Sequence, residues 1–479
     1  MGATYYIDLV SGSNANPGTK VSPWLRAPGM TGFSATYSHA AGDQFIFKGG
    51  QTCGTTGTPC FTSWTISNSG SGGAGSDYYG VDQTWYAGAS WSQPVIDGGH
   101  LSTIPSGTDY ITISGAYITL DNIRIQDIGI AGVNQDNRAI TLLGSTPHDI
   151  LIENMTLAVQ ARIAIAIILN GSSVLSNWEF KNNDFSKCSW GIGGGPDLNV
   201  RMDNVLIHDN TFHDFHDQMA NDVHGNGLYL YGTSGGTGGT ATNARIYNNV
   251  CYGDFSKSDA STAAMTSCLW LSAGYGAEYM YNNRATGSSA TGGFSRCLQM
   301  NGQDSTYRVT AYIYNNSCYL TGTDSNYGVE VDQAIVATVQ NNIFVGGTQA
   351  VAFGIYTAVD SVISNYNDLY QFASYCANVN ASDYQLWSQF RTAGYEANGF
   401  NASPLFVSPT DTGSGGNLRL QASSPLISAG INLSSVFTTD AAGTTRPSSG
   451  AWTIGAYQYV PAGGSVSGGL LTFSGGVLK

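Results

Sequence analysis

The feature that most constrains this chain is a short motif, flanked by β-prone residues, that occurs nine times. Each copy holds a pair of polar residues ending in Asn, and the copies lie 25 to 39 residues apart. A constant internal pattern with an irregular period is typical of a solenoid whose loops differ in length. The copies read LDNIRIQ, IENMTLA, KNNDFSK, HDNTFHD, YNNVCYG, YNNRATG, YNNSCYL, QNNIFVG and NYNDLYQ. The recurring residue is Asn122, Asn154, Asn183, Asn210, Asn249, Asn283, Asn316, Asn342 and Asn367.

The residues around each Asn predict strands rather than helices. Short runs rich in Val, Ile, Tyr and Phe are bounded by Gly, Asn and Asp, with two or three runs in each repeat. One coil of such strands cannot bury its apolar face alone, whereas stacked coils place equivalent residues about 4.8 Å apart. An Asn at a tight bend can satisfy local backbone groups and pass an amide hydrogen bond to the next coil. The pattern therefore predicts an all-β solenoid, a right-handed parallel β-helix, in which these Asn residues form an internal ladder and are scaffold rather than ligands.

A second set of strands lies upstream of the motif and aligns in the same way: GLYLYG (227–232), CLWLSA (268–273), CLQMNG (297–302) and GVEVDQ (328–333). Because side chains alternate between the two faces of a strand, the alignment predicts inward columns and outward residues. The inward columns are Leu228, Leu269, Leu298 and Val329, and then Leu230, Leu271, Met300 and Val331. The outward residues are Tyr229, Trp270, Gln299 and Glu330, with Tyr231, Ser272, Asn301 and Asp332 beside them. Earlier coils carry Thr141, Ala166 and Gly193 at the first outward position, so the outer face is predicted to become polar and aromatic only in the middle of the solenoid.

The composition limits the functions that are open to the chain. Only 10% of the residues are charged and the formal net charge is −14, which argues against binding nucleic acid or an anionic membrane surface. Hydrophobic residues make up 42% of the chain, which argues against disorder. The longest apolar run, residues 163–169, is too short to cross a bilayer, and residues 1–25 lack the pattern of a signal peptide.

The eight cysteines allow two interpretations. Cys53 and Cys60 close a short Gly/Thr/Pro loop, where we expect a disulfide. The others include Cys268 and Cys297, at the same position on adjacent coils, and Cys251 and Cys318, two residues after the recurring Asn. We expect most of these to be small buried core residues, and the redox compartment stays open.

The chain divides into four regions on these patterns. Residues 1–105 are predicted to form an N-terminal cap region, because a solenoid must cover its terminal coil. Residues 106–375 hold the coils, residues 376–460 form a closing segment, and residues 461–479 are a Gly/Ser-rich tail that could contact other subunits in an assembly. Within the closing segment, residues 381–394 (ASDYQLWSQFRTAG) are the best helix candidate, with Ser382 as N-cap.

Both ends of the chain resemble a known family. The N-terminal segments are YYIDLVSGSNANPGTKVSPW and PVIDGG, and the C-terminal segments are SPLFVSP, NLRLQASSPLISAG and RPSSGAWTIGAYQY. They are similar to the opening and closing segments of the right-handed parallel β-helix (pectate-lyase-like) superfamily, in its bacterial and phage members. That superfamily includes polysaccharide lyases, glycoside hydrolases, epimerases and phage tailspikes. Ser428 and Thr453 stand where it usually has Asp, which weakens a local ion pair but not the fold.

The resemblance implies this fold over nearly the whole chain and a polysaccharide as partner, without nucleic acid or membrane insertion. The LLTFSGG-type tail favours a tailspike-like depolymerase, placed on a virion surface or secreted to the extracellular space. A homotrimer or a virion fibre is the expected assembly. No cofactor is expected, although Ca²⁺ stays open.

The first candidate site is the outward patch in the middle of the solenoid. Glu330 and Asp332 lie two residues apart on one face, with Cα atoms about 6.6–7 Å apart. Such a carboxyl pair could serve inverting or retaining glycoside hydrolysis as acid and as base or nucleophile. On neighbouring coils Tyr229, Tyr231 and Trp270 offer flat faces for sugar rings, and Gln299 and Asn301 offer amides for hydroxyl groups. The alternative is an ordinary solvated sheet face.

The second candidate site is HDNTFHDFHDQMANDVHGNG, residues 208–227, which holds four of the seven His residues. Asp222 and His224 could flank the groove beside Tyr229 as acid and orienting base. Three other interpretations are open. Asp214, Asp217 and Asp222 could hold Ca²⁺, His208, His213 and His216 could bind a transition metal, or the segment is a solvated turn.

A lyase is the remaining enzymatic alternative. It must neutralise a uronate carboxylate and remove a proton from C5, and Lys is scarce here. The available groups are Arg284, Arg296, Arg308, His224 and the tyrosines, so the sequence equips the chain less well for a lyase than for a hydrolase. The alternative from another class is a non-catalytic virion decoration or adhesin that uses the same rod for display.

Overall fold

The structure is a computed structural model that describes residues 2–101, 107–130, 136–215, 224–232, 239–255, 266–287, 296–320, 327–346, 351–356, 358–372, 375–410 and 413–461. Among the described residues 34 strands join into one continuous sheet, in which the strands of successive coils pair in parallel with few irregularities. Each full coil contributes one strand segment to each of three ribbons, which wrap around a shared apolar core. The predicted parallel β-helix is therefore the observed architecture.

Ribbon 1 carries the predicted outward patch. Its strands follow one another by parallel pairing from Trp64 to Val379. They are β4 (Trp64–Ile66), β7 (Asp109–Ile113), β10 (Arg138–Gly144), the second halves of β12 (Thr156–Leu169) and β14 (Asp184–Pro196), β17 (Asn226–Leu230), β21 (Ser267–Gly274), β24 (Arg296–Gly302), β27 (Tyr327–Asp332), β30 (Val351–Ile355) and β33 (Tyr375–Val379).

Ribbon 2 begins at the N-terminus, so strands of the region 1–105 already belong to the same sheet as the coils that follow. The division of the chain into four regions stays a prediction. The strands of ribbon 2 are β1 (Thr4–Ile7), β2 (Gln44–Gly49), β5 (Asp77–Tyr86), β8 (Ile118–Asp121), β11 (Ile150–Glu153), β13 (Val174–Lys181), β15 (Arg201–His208), β18 (Thr240–Thr242) with β19 (Arg245–Tyr247), β22 (Gly276–Tyr281), β25 (Val309–Tyr314), β28 (Ala334–Gln340) and β31 (Val359–Asn365).

Ribbon 3 completes each coil and is made of the shortest strands. It includes the first halves of β12 and β14, which bend from ribbon 3 into ribbon 1 without a break. Its other strands are β3 (Thr52–Cys53), β6 (Val95–Asp97), β9 (Arg124–Gln126), β16 (Thr211–Phe215), β20 (Val250–Phe255), β23 (Arg284–Gly287), β26 (Ser317–Leu320), β29 (Ile343–Val345) and β32 (Asp368–Tyr370).

The Asn ladder lies at the bend between ribbons 2 and 3, buried in the coil interior. Each ladder Asn from 183 to 342 donates its side-chain amide and its backbone N–H to the side-chain oxygen of the next one, at 2.9–3.1 Å. The last member, Asn367, donates to the buried carboxylate of Glu396 instead. The prediction of an internal ladder is confirmed from Asn183 to Asn367.

The first two motif copies were aligned one residue out of step. Asn122 and Asn154 have positive φ angles of 62° and 56°, like Asn182, Asn248 and Asn282 immediately before the ladder residues of later coils. The residues in line with the ladder on these two coils are therefore Ile123 and Met155. Asn tolerates the left-handed conformation better than most residues, which explains why the column before the ladder is rich in Asn as well.

Three disulfides correct part of the interpretation of the cysteines. Cys53–Cys60 forms as predicted. Cys251–Cys268 and Cys297–Cys318 are also bonded, a pairing that the expectation of small buried core residues did not include. They are buried as expected, and the bonds cross the coil interior between ribbons 1 and 3. Cys188 and Cys376 are free and buried.

The closing segment is less helical than predicted. The helix α1 spans only Trp387–Thr392, with Leu386 as N-cap, whereas Ser382 belongs to the short antiparallel strand β34 (Ser382–Tyr384). A hairpin of β35 (Phe406–Ser408) and β36 (Asn417–Leu420) follows, and later residues pack against the outside of the coils. Within the described ranges no helix is long and apolar enough to cross a bilayer.

Candidate active site

The outward row of ribbon 1 has the register that the sequence alignment predicts. Tyr229 pairs with Trp270, Trp270 with Gln299, and Gln299 with Glu330 on four successive coils. The flanking core columns pair in register as well, and all their members are fully buried. Upstream, Gly193 pairs with Tyr229 as the alignment predicts, but the same coil already contributes the aromatic ring of Trp190 to this face. The register could be predicted because only one of the two possible alternation patterns of these strands buries the Leu, Met and Val residues.

Glu330 is a buried carboxylate with charged and amide partners. Only 3% of its surface is exposed. Arg296 Nε donates to Oε2 and Gln299 Nε2 donates to Oε1, each at 2.5 Å. Burial raises the pKa of Glu330 above its ordinary value, against the lowering effect of Arg296. Removal from water thus favours the protonated form, which is what a general acid requires.

Tyr356 completes this cluster and was not found from the sequence. Its hydroxyl hydrogen-bonds to Glu330 and accepts a hydrogen bond from Arg296. Tyr356 is 40% exposed, so it is the solvent-facing member of the cluster. Burial, with the charge of Glu330, raises its pKa to about 12, so the phenol keeps its proton at neutral pH. Extending the strand alignment by one coil, to VAFGIY (351–356), would have placed Tyr356 beside Asp332.

Space for the cluster comes from a glycine on the neighbouring coil. Gly354 pairs with Glu330, and a Cβ atom there would lie 2.9 Å from the ring of Tyr327. The guanidinium of Arg296 lies over that same ring, with its Cζ atom 5.5 Å from the ring centre. Any larger residue at position 354 would therefore push on the ring that supports Arg296.

Asp332 lies on the same strand as Glu330 but makes local contacts. Its Oδ1 accepts a hydrogen bond from the Gln333 N–H at 2.8 Å, and its own N–H donates to Asn301 Oδ1 at 3.1 Å. Asp332 is partly exposed, unlike Glu330. The two carboxyl groups therefore have different environments, one desolvated and one in contact with solvent, as a division into acid and base requires.

The aromatic residues form a packed cluster rather than a row of open platforms. Tyr229 stacks on Trp270 at 4.2 Å between ring centres, and Trp190 meets Tyr229 edge to face at 5.1 Å. Trp270 is only 5% exposed and Trp190 only 4%, whereas Tyr231 is 38% exposed. The expectation that Trp270 offers its face to a sugar ring is therefore wrong: it supports Tyr229, and Tyr231 presents the exposed ring. Trp190 was missed, although SWGIGG (189–194) aligns with the later strands.

His224 belongs to the aromatic cluster. Its ring lies 5.9 Å from Trp190 and 5.7 Å from Trp270, and the backbone oxygen of His224 accepts a hydrogen bond from Trp190 Nε1 at 2.8 Å. The side-chain amide of Asn226 contacts His224 Nδ1. Asp222, its expected partner, lies outside the described residues, so a role for this pair as acid and orienting base stays a prediction.

The other His residues of this segment bridge carboxylates. His208 lies between Glu179 and Asp209, at 3.1 and 2.7 Å. His213 lies between Asp184 and Asp214, at 2.8 Å each. Both nitrogens of each ring are thus occupied, which leaves neither ring a nitrogen for a metal in this arrangement. His216, Asp217 and Asp222 lie outside the described residues, and among the described ones no group of three His, Cys, Asp or Glu residues is placed to hold a metal ion.

Of the three arginines considered for a lyase, the described contacts place one in the Glu330 cluster. Arg284, on ribbon 3, contacts the hydroxyl of Tyr457. Arg308 makes a bidentate pair with Asp360, at 2.7 and 2.8 Å. Arg296 alone of the three lies on ribbon 1, beside Glu330.

The chain matches no protein-family model and no curated protein sequence. Its structure is similar to that of the pectate lyase Pel9A, with a TM-score of 0.51, 13% sequence identity and 96% of each chain covered. The protein is a right-handed parallel β-helix. A rhamnogalacturonan lyase matches this β-helix with a TM-score of 0.43 and 15% identity, over 87% of this chain and 95% of that one. A lacto-N-biosidase from Eubacterium ramulus matches with a TM-score of 0.42 and 11% identity, over 76% of this chain and 67% of that one.

Proposed function

We propose that this β-helix binds a polysaccharide along the outer face of ribbon 1 and cleaves it beside Glu330. The observation that carries the proposal is the in-register row of Tyr229, Trp270, Gln299 and Glu330. At about 4.8 Å per coil, the row spans about 14 Å along the solenoid axis. It leads from an aromatic cluster with one exposed ring, Tyr231, to a carboxyl group whose pKa is raised. A chain of sugar rings parallel to the axis would meet both.

The reaction that this arrangement supports best is glycoside hydrolysis. Hydrolysis adds one water across the glycosidic bond: the carbon–oxygen bond breaks, the leaving oxygen takes a proton, and the anomeric carbon takes a hydroxyl group. Glu330 supplies the proton because burial favours its protonated form. Tyr356, which is exposed and hydrogen-bonded to Glu330, passes that proton to the glycosidic oxygen. Asp332 acts on the other reactant as base towards water or as nucleophile.

A lyase is the second enzymatic candidate, favoured by the contact between Arg296 and Tyr356. Arginine would neutralise a uronate carboxylate and tyrosine would remove the C5 proton. One observation favours hydrolysis instead: a pKa of about 12 keeps the Tyr356 phenol protonated at neutral pH.

The rival from another class is a non-catalytic glycan-binding or display protein. The burial of Trp270 and Glu330 favours this rival, because buried side chains stabilise a solenoid whether or not it catalyses a reaction. This rival predicts that wild type and Glu330 variants differ in stability alone.

We further propose that the protein works outside the cytoplasm, either secreted or on a virion surface in the manner of a tailspike, as a homotrimer. The three disulfides support an oxidising compartment, where such bonds persist. Light scattering of the purified protein tests the trimer, since a monomeric mass of 50.4 kDa in solution contradicts it.

Cleavage is tested by measuring reducing-end release from a panel of bacterial capsular and algal polysaccharides. The proteins compared are wild type, Glu330→Gln and Asp332→Asn, with Asp360→Asn as control because Asp360 is an exposed carboxylate on ribbon 2. Release that either site variant reduces at least a hundredfold, with the control unchanged, supports the proposal. Product absorbance from unsaturated uronate shifts it to the lyase. Equal release by all four proteins, or release by none while binding persists, rejects cleavage at this site.

A further inference from the structure

A second cleft lies away from the Glu330 cluster, at the bend between ribbons 1 and 2. It encloses about 240 Å³ and spans several coils. Its lining is polar and aromatic: Ser172, Ser173, Val174, Asn199, Val200, Arg201, Thr240, Tyr275 and Tyr307. None of the residues in the Glu330 row lines it, so the proposed cleavage does not account for it.

The cleft carries an arginine whose charge is not neutralised by a protein carboxylate. Arg201 is exposed at the start of β15, and its side chain has no hydrogen-bond or ion-pair partner in the part of the chain that the structure describes. By contrast, Arg138, Arg296 and Arg308 are each paired with Asp or Glu. An unpaired guanidinium can bind an external carboxylate with two parallel hydrogen bonds.

One end of the cleft carries two tyrosines. Tyr275 is 38% exposed, and its ring meets that of Tyr307 edge to face at 5.3 Å between ring centres. The second ring fixes the orientation of the first, so Tyr275 presents a flat face that needs little ordering when a ligand binds. Rings of this kind pack against the apolar face of a sugar.

The surface of the cleft between Arg201 and the tyrosines is recessed. Thr240, on the coil after Arg201, pairs with Arg201 and is only 3% exposed. The Tyr275 N–H donates to the oxygen of the neighbouring Ala241. Arg201, Thr240, Tyr275 and Tyr307 thus belong to four successive coils. Three steps of about 4.8 Å make the distance along the axis about 14 Å. The cleft therefore suits an extended oligosaccharide that lies parallel to the axis.

We propose that this cleft is a binding site for an acidic oligosaccharide, with a uronate carboxylate on Arg201 and a neighbouring sugar ring on Tyr275. The site holds glycan and performs no chemistry. It therefore does not depend on cleavage at Glu330, and each of the two proposals can fail without the other.

Isothermal titration calorimetry of the full-length protein tests the proposal directly. The probes are tetragalacturonate, tetramannuronate and a glucuronate-containing heparosan tetrasaccharide, each compared with its neutral methyl ester. All titrations use a Glu330→Gln, Tyr231→Ala background, which removes the proposed acid and the exposed ring of the aromatic cluster. Within it, Arg201→Gln and Tyr275→Ala change the cleft, and Arg201→Lys keeps the charge without the planar fork. Arg419→Gln is the matched control, because Arg419 is also exposed and lies over Tyr457 elsewhere.

We expect at least one acidic tetrasaccharide to bind. Its affinity should fall about tenfold or more on methyl esterification and in Arg201→Gln, since charge-assisted hydrogen bonds are the strong ones. Tyr275→Ala should weaken binding similarly, Arg201→Lys less, and Arg419→Gln not at all. Equal binding of acid and ester, unchanged binding in Arg201→Gln, or no binding of any acidic probe overturns the proposal.

Discussion

Replacing Asn316 by Ala tests the claim that the Asn ladder stabilises the solenoid. Asn316 is fully buried and makes four side-chain hydrogen bonds. Its Oδ1 accepts from the backbone and side-chain amides of Asn283, at 2.9 and 3.0 Å. Its Nδ2 donates to the Met280 oxygen at 3.0 Å and to Asn342 Oδ1 at 2.9 Å.

The expected loss follows from these four bonds. A typical buried hydrogen bond contributes about 1 kcal/mol net, and a buried donor left without an acceptor costs about 1–3 kcal/mol. In Asn316→Ala the buried backbone N–H of Asn283 loses the acceptor it uses here. We therefore expect the free energy of unfolding to fall by about 4 kcal/mol.

Urea unfolding followed by tryptophan fluorescence measures this loss. Hydrogen exchange locates it, because the Asn283 amide should lose protection. Asn398→Ala is the control: its side chain is exposed, and within the described residues only its backbone N–H is hydrogen-bonded, so we expect no change. A loss below about 1 kcal/mol in Asn316→Ala, with the Asn283 amide still protected, would refute the reasoning.

Two further predictions concern stability. Burial raises the pKa of Glu396 to about 7 from an ordinary 4.5. Between these two values the folded state holds a proton that the unfolded state releases. The free energy of unfolding should therefore fall by about 3 kcal/mol as pH rises from about 4.5 to about 7. Melting temperatures across this range should show a decline that Glu396→Gln reduces, and a decline of the same size in the variant would contradict the assignment. Removing the Cys297–Cys318 disulfide, whose residues are 21 apart, should lower the free energy of unfolding by about 3 kcal/mol. Removing Cys53–Cys60, whose residues are 7 apart, should cost somewhat less, because a shorter loop gains less freedom in the unfolded chain. Double Cys→Ala variants compared by urea unfolding check the order, and the reverse order would count against the loop argument.

The features that could be predicted from the sequence are those set by strand alternation and by the repeat. Only one of the two alternation patterns buries the apolar column of Leu228, Leu269, Leu298 and Val329. That pattern places Glu330 on the outer face. Aligning the repeats failed at the bend between ribbons 2 and 3, where two neighbouring columns are both rich in Asn. Asn122 was assigned to the ladder because both columns at that bend prefer Asn, one for its amide and one for its left-handed backbone.

Contacts that cross the coil interior or join neighbouring coils were harder to predict. Cys297 and Cys318 lie on different ribbons of one coil, and their pairing depends on how the chain bends between them. Tyr356 was missed because its coil carries Gly354 where its neighbour carries Glu330, so the two strands do not look alike. Trp270 stacks on Tyr229 of the preceding coil, which in turn meets Trp190 of the coil before, and alternation alone does not reveal these contacts.

The most direct test of the central claim is a crystal structure of Glu330→Gln with an oligosaccharide of the glycan that the wild type releases or, failing release, binds most tightly. We expect sugar rings along ribbon 1, with one ring against Tyr231 and a glycosidic oxygen within hydrogen-bond distance of Tyr356. Density for the glycan on another ribbon, with ribbon 1 unoccupied, would contradict the account and leave the Glu330 cluster with a structural role.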